Sequence, residues 1–303
     1  MLVREHAVAA RGRSYALMPV DFRYHLASLL AVFCALLIGI LLGIALVGDP
    51  SLESQLKAFR ELRAQNRRTI TKLAETDLHR RAFGKQVLPF LIDSRLQGTR
   101  VAVIHNRDFG DTPWVEAVTT TVRQAGAQVT SVTEILPGFL ELKREDAAPV
   151  FDDFGFLMPI EGDVRGILVG KLALRIAEGS PELPYRLRQL GVIGVDGDYG
   201  SRADAVLLVG GTDSDLSSVN AVDVPIIRTL HEAGKRVIAC EASADRLSCM
   251  HSYQRFAIST VDNADTAAGQ LALVLVLAGA EGDFGVKKST ADHLLPPIAP
   301  AGR

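Results

Sequence analysis

The sequence predicts an α/β protein: one N-terminal transmembrane helix, a coiled-coil stalk, and then a Rossmann-like, mostly parallel α/β domain. Three observations carry that expectation. An uncharged apolar run lies near the N-terminus, a charged helical stretch without glycine until Gly84 follows it, and from Arg100 short apolar runs alternate with helical segments. The expected division is a short N-terminal segment at 1–25, a membrane helix at 26–47, a stalk at 51–92, an α/β domain at 98–285 and a C-terminal tail at 286–303. The 303 residues suffice for one large domain or two modest ones.

The apolar run from Leu26 to Val47 has about 22 residues without a charge. A helix needs roughly 20 to cross a bilayer, whereas the apolar core of a signal peptide has about 7–15. A retained anchor is therefore expected, with a cleaved signal peptide (Gly43-Ile44-Ala45 imitates a cleavage site) and a buried globular helix as the alternatives. Phe22 and Tyr24 are aromatics suited to the interface, and Arg23 can reach toward headgroups. Arg23 directly precedes the run, while Asp49 and Glu53 follow it closely. That asymmetry favours a cytoplasmic N-terminus and an extracytoplasmic α/β domain in a single-pass protein of the cell membrane. The flank depends on the true start, since Met18 as well as Met1 is a candidate. Within the run, Ala27, Ala31, Ala35, Gly39 and Gly43 recur every four residues, a smooth stripe on which two helices can pack closely.

The next stretch places apolar residues at Leu52, Leu56, Phe59, Leu62, Ile70 and Leu73. With Leu52, Phe59, Asn66 and Leu73 as position a of a heptad, Gln55, Thr69 and Thr76 fall at d. The seam is imperfect, and an Asn at a fixes register at some cost in stability. A parallel dimer is expected, with Ala35, Gly39, Gly43 and Asn66 as its pairing residues; a single amphipathic helix lying on its own domain is the alternative.

The α/β part begins with a strand at Arg100–His105 and a helix from Pro113 to Ala125. A second strand at 127–135 follows, then a helix at 162–178 and a short strand or turn at 190–198. Residues 204–211, "DAVLLVGG", read as a strongly buried strand, 224–234 as a helix ending at Gly234, and 235–242 as another strand. "RFAIST", 255–260, is the last strand candidate, and 264–278 is a closing helix too short to span a membrane.

Composition excludes some functions. Thirty-three Lys+Arg against 35 Asp+Glu leave a net charge of -2, unlike the basic surface of a nucleic-acid binder. The three cysteines make no disulfide framework, though Cys240 and Cys249 could pair if their region is exported. Ligands of parallel sheets bind at the C-terminal strand ends, here His105-Asn106-Arg107-Asp108, Gly210 to Asp215 and Glu241-Ala242-Ser243. Gly210, Gly211, Thr212 and Asp213 form the candidate ligand loop, with backbone donors and a carboxylate, although ordinary turn chemistry uses the same residues. There is no G-x-G-x-x-G, P-loop lysine or spaced nucleophile–base set, so no enzyme is expected. Cys249, Met250 and His251 offer the soft donors that suit Cu(I). Adjacent residues point apart in regular structure, and a surface loop is the alternative.

Two stretches together resemble a known family. "DFRYHLASLLAVFCALLIGILLGIALVGD" with "SLESQLKAFRELRAQN", and "STVDNADTAAGQLALVLVLAGAEGDFG" at 259–285, are similar to the mycobacterial copper transport proteins, the MctB-like family. The resemblance implies a membrane protein of copper efflux or copper homeostasis, with copper as the one metal of interest and envelope or division proteins as partners. It also implies outer-membrane channels, yet one helix and no series of alternating strands make no barrel here. The alternative function is a non-enzymatic envelope scaffold that dimerises through helix and stalk and binds a partner or small ligand with its α/β domain.

Overall fold

A computed structural model describes residues 22–46, 50–106, 113–211, 216–244 and 247–297. The chain divides into two compact units, Met1–Ala74 and Glu75–Arg303.

The first unit is helical. Helix α1 spans Phe22–Leu46, and its segment Arg23–Ala45 is long and apolar enough to cross a membrane. It presents its apolar side chains outward, as a helix solvated by lipid does, with Leu30 67% and Ile44 70% exposed. Ala35, Gly39 and Gly43 are exposed on it, and a Cβ built on either glycine meets nothing. Helix α2 spans Pro50–Ile92 and begins in this unit. Leu56, Phe59, Leu62, Ile70 and Leu73 all stand at least half exposed along it, and Asn66 is exposed too. Thr69 and Thr71 return their hydroxyls to the carbonyls of Gln65 and Arg67, both at 3.0 Å, which lets threonine sit in a helix interior.

The second unit is a mixed α/β body around a seven-stranded sheet. Its strands are β1 (Arg100–Asn106), β2 (Gln128–Ile135), β3 (Ile193–Gly197), β4 (Ala205–Val209), β5 (Val237–Cys240), β6 (Ser259–Val261) and β7 (Asp283–Phe284). Their order in space is β3-β2-β1-β4-β5-β6-β7. Every neighbouring pair is parallel except β2 with β3. The mostly parallel sheet expected from alternating apolar and helical segments is therefore present. The antiparallel β3 and the two-residue β7 were not expected, and the last candidate strand lies later, at Ser259–Val261, because α9 (Met250–Gln254) occupies the chain just before it.

Both faces of the sheet are covered, which is why its strands read as unbroken apolar runs. Successive residues point to opposite faces: Ala102, Ile104, Val206, Leu208, Val237 and Ala239 enter one core. Val101, Val103, Leu207, Val209, Ile238 and Val261 enter the other. The first face is packed by α4 (Pro137–Leu140), α5 (Arg144–Asp153), α6 (Val164–Glu178), α7 (Glu182–Gln189), α8 (Val224–Glu232) and α9. The second is packed by the end of α2 through Leu88 and Ile92, by α3 (Pro113–Gln124) and by α10 (Ala267–Leu277). Helix α10 is apolar all round because it is buried all round, from Leu271 to Leu277.

Residues 286–297 continue along the β7 edge. Asp262, just after β6, accepts from the backbone of Val286 and Lys287 at 2.7 and 3.0 Å, and from the Thr290 hydroxyl at 3.2 Å.

Helices α6 and α8 pack together extensively, through Gly166 and Gly170 on one face of α6. A Cβ at Gly170 would lie 2.2 Å from the Thr229 hydroxyl and 3.3 Å from the Pro225 carbonyl. Gly170→Ala is therefore expected to destabilise the fold by roughly 1–3 kcal/mol, despite alanine's higher helix propensity. Thermal melts followed by circular dichroism check this, and adding Thr229→Ala, which removes the nearest atom, should recover much of the loss.

Candidate functional site

The C-terminal ends of β4, β5 and β6 meet in one polar cluster, at the sheet edge where open parallel sheets hold ligands. Three features build it: the glycines after β4, the glutamate after β5, and the two short helical pieces that follow these strands.

Gly210 and Gly211 end β4 and are buried. The Gly210 N–H donates to the Cys240 carbonyl at 2.9 Å. A Cβ at Gly210 would lie 2.1 Å from the Tyr253 hydroxyl, so only glycine admits the tyrosine there. The Gly211 backbone beside the Cys249 sulfur works against the rise of that thiol. The Gly210 donor of the expected ligand cradle is thus used by the protein itself. Thr212, Asp213 and Asp215 lie outside the described residues, as do Arg107 and Asp108 after β1.

Tyr253, on α9, is fully buried and donates to Asp223 at 2.5 Å. Asp223 closes a π-helical turn, Val219–Asp223, that runs into α8. Pro225 has no N–H for the ladder at that point, and the Val224 N–H bonds back five residues to Val219. Burial holds the Asp223 carboxyl up at about 7, against the lowering by the Tyr253 donor. Its other oxygen has no hydrogen-bond partner among the described residues. Burial, with the negative charges of Asp223 and Glu241, pushes the Cys249 thiol up to about 12. The same causes raise Tyr253 well above a phenol's ordinary value.

Glu241 is wholly buried beside them. One oxygen accepts from Ser248 at 2.6 Å and from the Lys287 ammonium at 2.7 Å; the other accepts from the Cys249 N–H at 2.7 Å. Ser243 turns away to Asp265, bonding it through backbone and hydroxyl at 2.7 and 2.8 Å.

Two separately noticed sequence features, the Gly-Gly loop and Cys249, come together here. The triplet Cys249-Met250-His251 does not converge: the first two side chains are fully buried and His251 is exposed. Cys240 and Cys249 are both buried and are not joined by a disulfide. Among the described residues no group of three His, Cys, Asp or Glu is placed to hold a metal ion. Cu(I) ligation by a cysteine displaces the thiol proton, and the burial that pushes the Cys249 thiol up to about 12 opposes that loss. Asp223, Tyr253 and Lys287 were not singled out from sequence. The one local signal was an acid enclosed by apolar neighbours, "AVDVPII".

An apolar helix of membrane-spanning length, carried by the same chain as this closed α/β body, defines a membrane-associated α/β protein. The chain belongs to the family described as "Copper transport outer membrane protein, MctB", whose sequence profile matches residues 19–153 and 162–296. The "Copper transporter MctB" of Mycobacterium leprae is 25% identical over 318 aligned residues, covering 91% of this chain and 99% of the relative. The proteins of that name from Mycobacterium bovis and Mycobacterium tuberculosis are each 25% identical over 295 residues, covering 85% and 92%.

Asp223 gives the cluster a pH dependence. Its carboxyl sits at about 7 in the folded chain and near about 4 when unfolded. The folded state then holds the extra proton, so stability falls as pH rises from about 4 to about 7, by at most about 1.4 kcal/mol per unit, and levels off above. Asp223→Asn should flatten that slope. Urea midpoints of both proteins at about pH 5 and about pH 7.5 check it, the wild-type midpoint falling more than the variant's.

Proposed function

We propose that the protein is a single-pass membrane component of copper efflux and copper homeostasis, with copper as its cargo. The family match along nearly the whole chain carries this reading. Arg23 in the first turn of α1, ahead of the uncharged run, and Asp49 and Glu53 after the helix, support a cytoplasmic N-terminus and an extracytoplasmic α/β domain. The strand order, which changes direction between β1 and β4, supports reading the sheet as doubly wound and Rossmann-like, with β3 reversed. We read the domain as non-enzymatic, since its buried thiol is held protonated and the described strand-end donors of Gly210 and Glu241 are spent internally. One apolar helix offers no polar lining for an ion, so the chain acts on copper within an assembly rather than as a lone conduit. Cells lacking the protein should arrest at several-fold lower copper and retain more of it, and the Cys249→Ser protein should restore tolerance. Unchanged copper tolerance on deletion would remove this reading.

A second reading rests on the exposed apolar row of α2. Leu56, Phe59, Leu62, Ile70 and Leu73 stand uncovered, which suits a parallel coiled coil with a second copy continuing from the Ala35, Gly39 and Gly43 stripe of α1. In this form the protein is an envelope scaffold whose α/β domain docks a partner, including proteins of envelope growth or division. Replacing Gly39 and Gly43 with Ile should cut the yield of crosslinked dimers in membranes several-fold; an unchanged yield would set the stripe aside.

A further inference from the structure

The edge of the sheet opposite the polar cluster contains a hollow of about 210 Å³, at the N-terminal ends of β4 and β5. Small residues make the space: Ala177 at the end of α6, Ala203 and Ala205 at the entry to β4, and Gly234 after α8. Its charged lining is Arg202, Asp204, Lys235 and Arg236. Asp204 is already taken, held by Arg100 through the side chain at 2.7 and 3.1 Å and through the backbone N–H at 2.9 Å. That leaves three cations from the lining, Arg202, Lys235 and Arg236.

Part of that charge has an evident task. Arg236 donates to the last carbonyls of α10, Leu277 and Val276, at 3.1 and 2.5 Å. Helices α6 and α8 also end beside the hollow, and each of the three helix ends carries about half a negative charge. Together they offset about one and a half of the three cations, leaving a surplus of about one to two positive charges around the opening. Arg202 and Arg236 are exposed and Lys235 is half-buried, so an anion can reach them from solvent.

We propose that this hollow binds a phosphate group. The Arg202 guanidinium and the Lys235 ammonium suit a doubly charged oxyanion, with the charge of the α10-bound Arg236 beside them, and the volume exceeds what the phosphate alone occupies, leaving room for the molecule that carries it. That carrier is a soluble phosphate ester or a phospholipid headgroup, and the two are separated by probe.

The test titrates inorganic phosphate, glycerol phosphate and short-chain dihexanoyl phosphatidic acid into the full chain in non-ionic detergent, by calorimetry at low ionic strength. Saturable phosphate binding is expected, weakened about tenfold or more by Arg202→Ala with Lys235→Ala and left unchanged by Arg123→Ala on the far helix α3. Tighter binding of the phosphatidic acid than of glycerol phosphate assigns the headgroup; the reverse assigns the soluble ester. The double variant alters exposed or half-buried side chains, and its circular dichroism melt checks that it stays folded. Absence of saturable phosphate binding, or a folded double variant that binds as the wild type does, overturns the proposal.

Discussion

A buried carboxylate with no water around it must be given partners by the protein, and Glu241 imposes that requirement on the whole C-terminal edge of the sheet. Its two oxygens take Ser248, Cys249 and Lys287. Its backbone N–H bonds to Val261 of β6, and its carbonyl accepts from Ala264. One residue thus ties β5 to β6, to the start of α9 and to the chain beyond β7. Removing a partner would leave a charge in a medium that cannot solvate it, so these elements stand or fall together. Asp262 repeats the device one strand along, gripping Val286, Lys287 and Thr290.

With those carboxylates satisfied, the described part of this edge is tightly filled. The Gly210 donor is spent on Cys240, and the tyrosine fills the space that glycine leaves. Such a cluster is built like a core: Cys249 holds its proton, and Asp223 gives up its own only at about 7, because burial penalises their charged forms. The opposite edge is built the other way, with small residues and outward cations around a hollow. For a member of a copper-transport family, the buried cysteine is accordingly part of the fold's support. Copper as cargo is handled, in the proposed reading, by the assembly the membrane helix belongs to.

The first unit is governed by a different solvent. An apolar helix with its side chains turned outward is unfavourable in water and favourable in a bilayer. The same holds in weaker form for α2, whose exposed leucines and phenylalanine gain most when another helix covers them.

Much of the architecture was legible in the order of residues. The uncharged length of α1 and the helical period of α2 are local properties, as are the runs "RVAVIH", "DAVLLVGG" and "RVIAC", which are apolar throughout because helices cover both sheet faces. What local pattern could not carry was pairing. Strand β7 is two residues long and exists only because β6 offers it a ladder, and β3 is reversed because Ile193–Gly197 runs back along β2 rather than crossing over. In the site, the Gly-Gly loop and Cys249 were each visible, but nearly 40 residues separate them and nothing local says they touch. Asp223, Tyr253 and Lys287 are ordinary residues in sequence, and their weight comes from being enclosed together. The sequence alone determined the membrane-length helix, the mostly parallel α/β body and the family, since composition and period act over neighbouring residues. Tertiary structure alone decided which polar groups are buried and partnered, because desolvation depends on what the rest of the chain brings near.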